Sequence, residues 1–155
     1  MAILSGQRLT AARLAALLPV SGPWTDYGTP TTIWTASGSN PTIGNGSIVA
    51  RYQLLGGAAS KTCAFRIKIN PGSTTTFGRG TYSFLLPFDI ADEQTASAIF
   101  RDNSAATQFG GSAWLQSART IHSVALSSGT LWSPTVPAPW SQNDRAEISG
   151  IYERA

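Results

Sequence analysis

Histidine, cysteine and carboxylate side chains form most protein active sites, and this sequence contains few of them. It has one histidine, His122, one cysteine, Cys63, and eight aspartates and glutamates. A Ser-His-Asp hydrolase would need His122 to be positioned beside a nucleophilic serine, and no G-x-S-x-G sequence is present to supply the usual nucleophile elbow. His122 lies within TIHSVAL, which has the composition of a strand. We therefore expect His122 to be a structural residue of that strand.

The acidic residues need separate consideration, because two carboxylates are enough for glycoside hydrolysis. Most of them lie beside turn sequences, and the one cluster, DIADE at 89–93, lacks the repeated ligands of a calcium loop. We expect this cluster to be a solvated turn. Cys63 lies on the apolar side of an alternating segment and shows no sign of the electropositive surroundings that activate a thiolate. The sequence thus predicts no catalytic residue, no metal site and no cofactor, and we do not expect an enzyme.

The glycine-rich stretch GSTTTFGRGTYSFLLP, residues 72–87, raises the question of phosphate binding. A phosphate-binding loop needs a Lys-Ser/Thr pair after its glycines and a helix behind it, and this stretch has neither. Tyr82, Phe84 and Leu86 instead alternate towards one face, as in a strand. The loop is therefore predicted to be a corner between strands. Arg79 at its tip should be exposed, so that it is a candidate for contact with a partner.

Five tryptophans suggest glycan binding as an alternative, because exposed aromatic rings can stack on sugars. Trp132 and Trp140 flank the proline-rich segment SPTVPAP, which should form an exposed loop, and they join Arg79 as candidates for surface recognition. Large aromatic side chains more often serve burial, so packing is the favoured alternative for both. A third alternative buries them between subunits.

The composition limits the classes of partner. A chain of 155 residues suits one domain with its own core, and only 12% of its residues are charged. The net charge of +3 comes from dispersed basic residues, so nucleic acid is not an expected partner. No apolar run is long enough to cross a membrane, and the first residues lack the features of a secretory signal. We expect synthesis in a cytoplasm.

The predicted secondary structure that would position these residues changes from helix to strand near residue 20. Thr10 to Leu18 is predicted to be a short helix that Thr10 caps and Pro19 ends. Its apolar face, Leu14, Leu17 and Leu18, should dock on something, because so short a helix is marginal alone. The face either packs on the domain of its own chain or meets copies of itself or a larger assembly. We assign residues 1–20 to docking or oligomerisation.

Residues 21–155 are predicted to form an all-β domain, an antiparallel β-sandwich of jelly-roll-like type. In KTCAFRIKI, the apolar residues Cys63, Phe65, Ile67 and Ile69 alternate with basic and small residues. In the preceding segment, SIVARYQLL, the side chains also alternate between two faces with the period of a strand. These two segments should pair as a hairpin. Shorter strands are predicted in TIWTA, TYSFLLP, TASAIFR, SAWLQS, TIHSVAL and AEISGIYE.

Four segments together resemble a known class of protein: LSGQRLTAARLAALLP, GSIVARYQLLGG, INPGSTTTFGRGTYSFLLP and PAPWSQNDRAEISGIYE. They are similar to small minor tail or tail-fibre-like structural proteins of tailed bacteriophages, especially those of actinobacterial hosts. The resemblance implies a virion component with a short N-terminal helix and a β-sandwich, which would be a homotrimer. It carries no catalytic or binding residue over to this sequence.

Three classes of function follow. The first is a virion structural protein that associates with itself and other virion proteins in the tail or fibre, or that decorates the capsid. The second is a module that binds a host cell-surface glycan. The third, a glycan or cell-wall hydrolase, has only dispersed carboxylates in its favour. We expect the first, with localisation in the virion and contact with the host surface as an additional role.

Overall fold

The computed structural model describes residues 21–116, 119–126 and 129–155, with the backbone alone for residues 122–126. The predicted helix at 10–18, with Leu14, Leu17 and Leu18, lies outside the described residues, as does the whole docking segment 1–20. The described elements are one helical turn and nine strands: β1 (Thr25–Asp26), α1 (Pro30–Ile33), β2 (Trp34–Ala36), β3 (Ser47–Leu54), β4 (Thr62–Asn70), β5 (Tyr82–Leu85), β6 (Gln94–Asp102), β7 (Thr107–Gln116), β8 (Thr120–Leu126) and β9 (Arg145–Glu153).

The strands follow the alternating segments of the sequence. The predicted hairpin is confirmed as β3 and β4, which pair antiparallel from Ser47 opposite Asn70 to Leu54 opposite Cys63. The prediction in TIWTA is only partly correct, because Pro30 begins the helical turn α1 before β2 starts at Trp34. Pro30 has the fixed φ angle that suits a first helical position. The backbone N–H of Thr29 donates to the Thr32 hydroxyl at 2.8 Å, which closes the turn.

All nine strands belong to one antiparallel sheet in the order β1-β3-β4-β9-β6-β7-β8-β5-β2. The sheet curls, so that strands far apart in this order approach each other. Tyr27, after β1, donates its backbone N–H to Ala50 of β3 at 3.1 Å and its hydroxyl to the Leu85 carbonyl of β5 at 3.0 Å. The antiparallel, sandwich-like all-β fold is therefore confirmed, with both layers formed by one continuous sheet.

The inner surface of the curled sheet forms one core. The alternating residues that were predicted to be inside are buried, each with an exposed fraction of at most 1%: Phe65, Ile67, Ile69, Tyr82, Phe84 and Leu86. Cys63 is also buried, as its position in the alternation predicted. Since a shift of one residue would turn every such side chain to the other face, burial of one face holds the strands in register.

Candidate functional site

The surface-recognition role predicted for Trp132 and Trp140 is wrong, because both side chains are buried. Their exposed fractions are 0% and 5%, and the burying residues belong to the same chain. The proline-rich segment between them stays partly exposed, and backbone hydrogen bonds hold its two ends. The N–H of Trp140 donates to the Pro134 carbonyl at 3.1 Å, and that of Tyr82 donates to the Trp132 carbonyl at 2.9 Å. The packing alternative is correct for both residues, and the location between subunits is also wrong.

These two tryptophans lie in an aromatic cluster at the centre of the core. The Trp140 ring centroid lies 4.6 Å from that of Phe100, 5.2 Å from Tyr82 and 5.5 Å from Trp34. Most of the ring pairs are edge-to-face or tilted, as the quadrupoles of aromatic rings favour. Burial also raises the pKa of the Tyr82 hydroxyl above its ordinary value. The cluster stabilises the domain and offers no ring to an external ligand.

Arg79 is exposed, as predicted, at the tip of a structural loop. Gly78 and Gly80 on either side have φ angles of +62° and +93°, which glycine adopts without strain. The loop pairs with the segment before β3, where the N–H groups of Gly38 and Ser39 both donate to the Arg79 carbonyl. Among the described residues, the Arg79 side chain has no ion-pair partner. It stays a candidate contact residue, although nothing nearby forms a site around it.

The other candidate catalytic groups are not assembled into a site. Asp92 lies in an exposed bend and accepts the backbone N–H of Glu93 at 2.8 Å. The Cys63 thiol is buried, which raises its pKa and disfavours the thiolate. His122 lies in β8, where the structure describes its backbone alone. Within the described part of the chain, no three His, Cys, Asp or Glu residues are grouped so that they could hold a metal ion.

The structure reveals an exposed apolar surface that the sequence analysis missed. It lies on the outward side of strands β4, β9, β6 and β7, which we call the outer face. Ile151, Trp114 and Ile99 point outward there with exposed fractions of 60%, 48% and 42%. Ala64 lies opposite Ile151 in the pairing of β4 with β9, and Thr95 lies opposite Trp114 in the pairing of β6 with β7. Ile99 lies further along β6, four residues from Thr95, where it is opposite Gly110 of β7 and Glu147 of β9.

Several of the residues around these three apolar side chains are small, although Glu147 of β9 lies opposite Ile99. Ser97 of β6 lies opposite Ser149 of β9 and Ser112 of β7, and Gly110 of β7 lies opposite Ile99. The side chains of these four residues are too short to cover the isoleucines or the indole. The signal in the sequence was an apolar residue at an outward position, Ile99 in TASAIFR and Ile151 in AEISGIYE. The outer face is the part of the described structure best suited to bind another protein surface.

Trp24 extends the exposed aromatic surface towards β4. Its ring is 45% exposed and lies under the Arg66 guanidinium, whose carbon is 5.9 Å from the ring centroid. A cation over an indole face is attracted by the ring quadrupole, so this contact favours the observed arrangement of the two side chains. Trp24 and Arg66 thus form an ordered aromatic and cationic margin.

Comparison with known proteins finds no family model, no curated protein and no solved structure that matches this chain. In the described residues, no helix has the length and apolar character needed to cross a membrane.

Proposed function

We propose that this protein is a structural component of a tailed-bacteriophage virion, associated with the tail or fibre or exposed on the particle surface. In this role the outer face binds another virion protein or a second copy of the chain. The observation that carries the proposal is the exposure of three large apolar side chains, Ile151, Trp114 and Ile99, on the outer face. The resemblance of four sequence segments to minor tail and tail-fibre-like proteins supports the same role.

The chemistry of the outer face is that of a protein-binding surface. Interface cores are depleted of charged residues and enriched in aromatic ones, and tryptophan is among the side chains whose removal most reduces affinity. Ile151 and Trp114 lie among serine, threonine and alanine, while charged residues such as Arg66 and Glu147 lie around them. An opposing sheet could approach closely at the small residues and bury the larger apolar side chains.

The test is incorporation into particles together with association in solution. Antibodies against the chain should label purified particles of the encoding phage. Trp114→Ser combined with Ile151→Thr should reduce incorporation or association, because it removes the two largest apolar contacts of the outer face. Leu131→Ser is the matched control, since Leu131 is 38% exposed but lies outside these strands. Absence of the protein from particles would contradict the proposal, as would equal effects of the two changes.

The oligomeric part of the proposal is a homotrimer formed through Leu14, Leu17 and Leu18. A helix with a leucine face gains stability when copies of that face pack around a symmetry axis. Light scattering of the full chain should give three times the mass of one chain. Replacing all three leucines with serine should give a monomer. The same mass for both proteins would remove these leucines from the interface.

Capsid decoration is the alternative location for the same structural role, and labelling of heads instead of tails would identify it. A glycan-binding module is the second candidate function, and the specific observation in its favour is that Trp114 and Trp24 each expose nearly half of their surface. Exposed indole rings can stack on sugars. Loss of host-cell binding by Trp114→Ser in particles that assemble normally would favour this second function.

A further inference from the structure

Two arginines face each other across neighbouring strands at one end of the outer face. Arg101 of β6 lies directly opposite Arg145 of β9, and both side chains are exposed on the same side of the sheet. Like charges at directly opposed positions destabilise a sheet. Among the described residues, neither guanidinium has a carboxylate within 4.0 Å. The fold therefore holds two positive charges together without a negative charge between them.

The two arginines line a polar cleft of about 370 Å³, whose walls also include Asn70, Pro71, Asn103, Asn143 and the carboxylate-bearing Asp144. Arg145 is held in orientation, because its Nε donates to the Asn70 Oδ1 at 3.3 Å. Asn70 is fixed in turn by donating its Nδ2 to the Ser47 hydroxyl at 3.1 Å. The terminal nitrogens of Arg145 and the whole Arg101 guanidinium make no side-chain hydrogen bond to another described residue, so their N–H groups can donate to a ligand.

Of the three nearby carboxylates, only that of Asp144 belongs to a residue lining the cleft, and both of its oxygens already accept hydrogen bonds. Asp144 is 1% exposed; its Oδ1 accepts the Asn103 N–H at 3.1 Å, and its Oδ2 accepts the N–H of Ser141 at 2.7 Å. Asp102 points to the other side of β6, where it accepts the Ser104 hydroxyl at 2.6 Å. Glu147, two residues beyond Arg145, lies opposite Lys68 in the sheet. The exposed charge of the cleft is thus mainly that of the arginines.

We propose that this cleft binds an oxyanion, the phosphate or carboxylate group of a ligand, between Arg101 and Arg145. Guanidinium groups present paired N–H donors whose geometry matches two oxygens of such a group, which a single spherical chloride ion cannot match. The bound anion would also remove the repulsion between the two arginines. The same group can belong to a free small anion or to an acidic sugar, and the choice of probes distinguishes these sources.

The experiment measures thermal unfolding and calorimetric binding of the full chain with inorganic phosphate, with glucuronate and with glucose. Sodium chloride keeps the ionic strength constant. We expect saturable binding of phosphate, glucuronate or both, and no response to glucose. Binding of phosphate alone indicates a free tetrahedral anion, whereas binding of glucuronate indicates an acidic sugar. Arg101→Gln with Arg145→Gln should reduce affinity by at least about tenfold, because each lost bond involves a charged donor.

The matched control is Arg66→Gln with Arg79→Gln, which removes two positive charges at positions that do not line the cleft. This control should retain binding. Equal losses in both double variants would overturn the proposal, since they would indicate a general effect of net charge. No saturable response of the unchanged protein to either anion would also overturn it. Arg101→Gln alone provides a second test if the double variant does not fold, because the Arg101 side chain has no hydrogen-bond partner among the described residues.

Discussion

Replacement of Trp132 with alanine tests most directly whether the Trp132 side chain is part of the core. The Trp132 side chain is 0% exposed, and its ring centroid lies 5.7 Å from Trp140, 6.1 Å from Phe100 and 6.3 Å from Phe84. Truncation of a buried tryptophan to alanine lowers the free energy of unfolding by about 3–5 kcal/mol. With a urea m-value of about 2 kcal/mol/M, the unfolding midpoint should fall by about 2 M.

Two further variants separate burial from other effects of the change. Trp114→Ala removes an indole that is 48% exposed, and we expect a loss within about 1 kcal/mol. Trp132→Phe keeps an aromatic ring but removes a buried indole N–H that has no acceptor in the described structure, so its loss should be under about 2 kcal/mol. Urea unfolding followed by tryptophan fluorescence and by circular dichroism measures all three. Equal losses for Trp132→Ala and Trp114→Ala would refute the reasoning.

Three other outcomes are expected. Phe65→Ala should lower the free energy of unfolding by about 3–5 kcal/mol, and a value near zero in urea unfolding would remove Phe65 from the core. Hydrogen bonds from the Ser104 hydroxyl and the Ala105 N–H hold the pKa of Asp102 below its ordinary value. The ionised Asp102 carboxylate therefore stabilises the folded state above about pH 4, and this stabilisation is lost as the pH falls through the lower pKa of the folded state. The stability difference between the unchanged protein and Asp102→Asn should therefore be smaller at pH 2 than at pH 7, and a difference independent of pH would contradict this. Gly44→Ala should destabilise by more than about 1 kcal/mol, because Gly44 has a φ of +57° and an added Cβ would lie 2.5 Å from the Thr74 carbonyl oxygen. Gly129→Ala is the control, because Gly129 also has a positive φ, +74°, but has open space at the Cβ position. A smaller decrease in thermal stability for Gly129→Ala than for Gly44→Ala would give the contribution of the steric clash with Thr74.

The strands that could be predicted from the sequence are those with one buried face. In β4 the alternation of Cys63, Phe65 and Ile67 with outward residues specifies both the strand and its inner side. Local turn sequences then join it to β3 as a hairpin. The pairing of β9 between β4 and β6 was not predictable in this way, because it joins residues far apart in sequence and no local pattern specifies the partner.

The candidate sites were less accessible to sequence reasoning for the same physical reason. Proline and serine around Trp132 and Trp140 indicate a loop, but burial of a loop side chain depends on distant residues such as Trp34 and Phe100. The opposition of Arg101 and Arg145 likewise exists only after β6 and β9 pair. The exposure of Arg79 could be predicted because glycines on both sides of it mark a local turn. Local geometry could be anticipated, whereas contacts between distant segments required the fold.

The central position of β9 has a consequence for folding during synthesis. This strand is the last of the nine in chain order, yet it is the shared neighbour of β4 and β6. Until residues 145–153 have left the ribosome, the β3–β4 hairpin and the β6–β7–β8 meander can form their own ladders but have no strand to join them. The nascent chain must therefore keep two incomplete sheets, with unpaired edges on β4 and β6, until translation has passed β9. The sheet is therefore complete only when β9 joins its two parts.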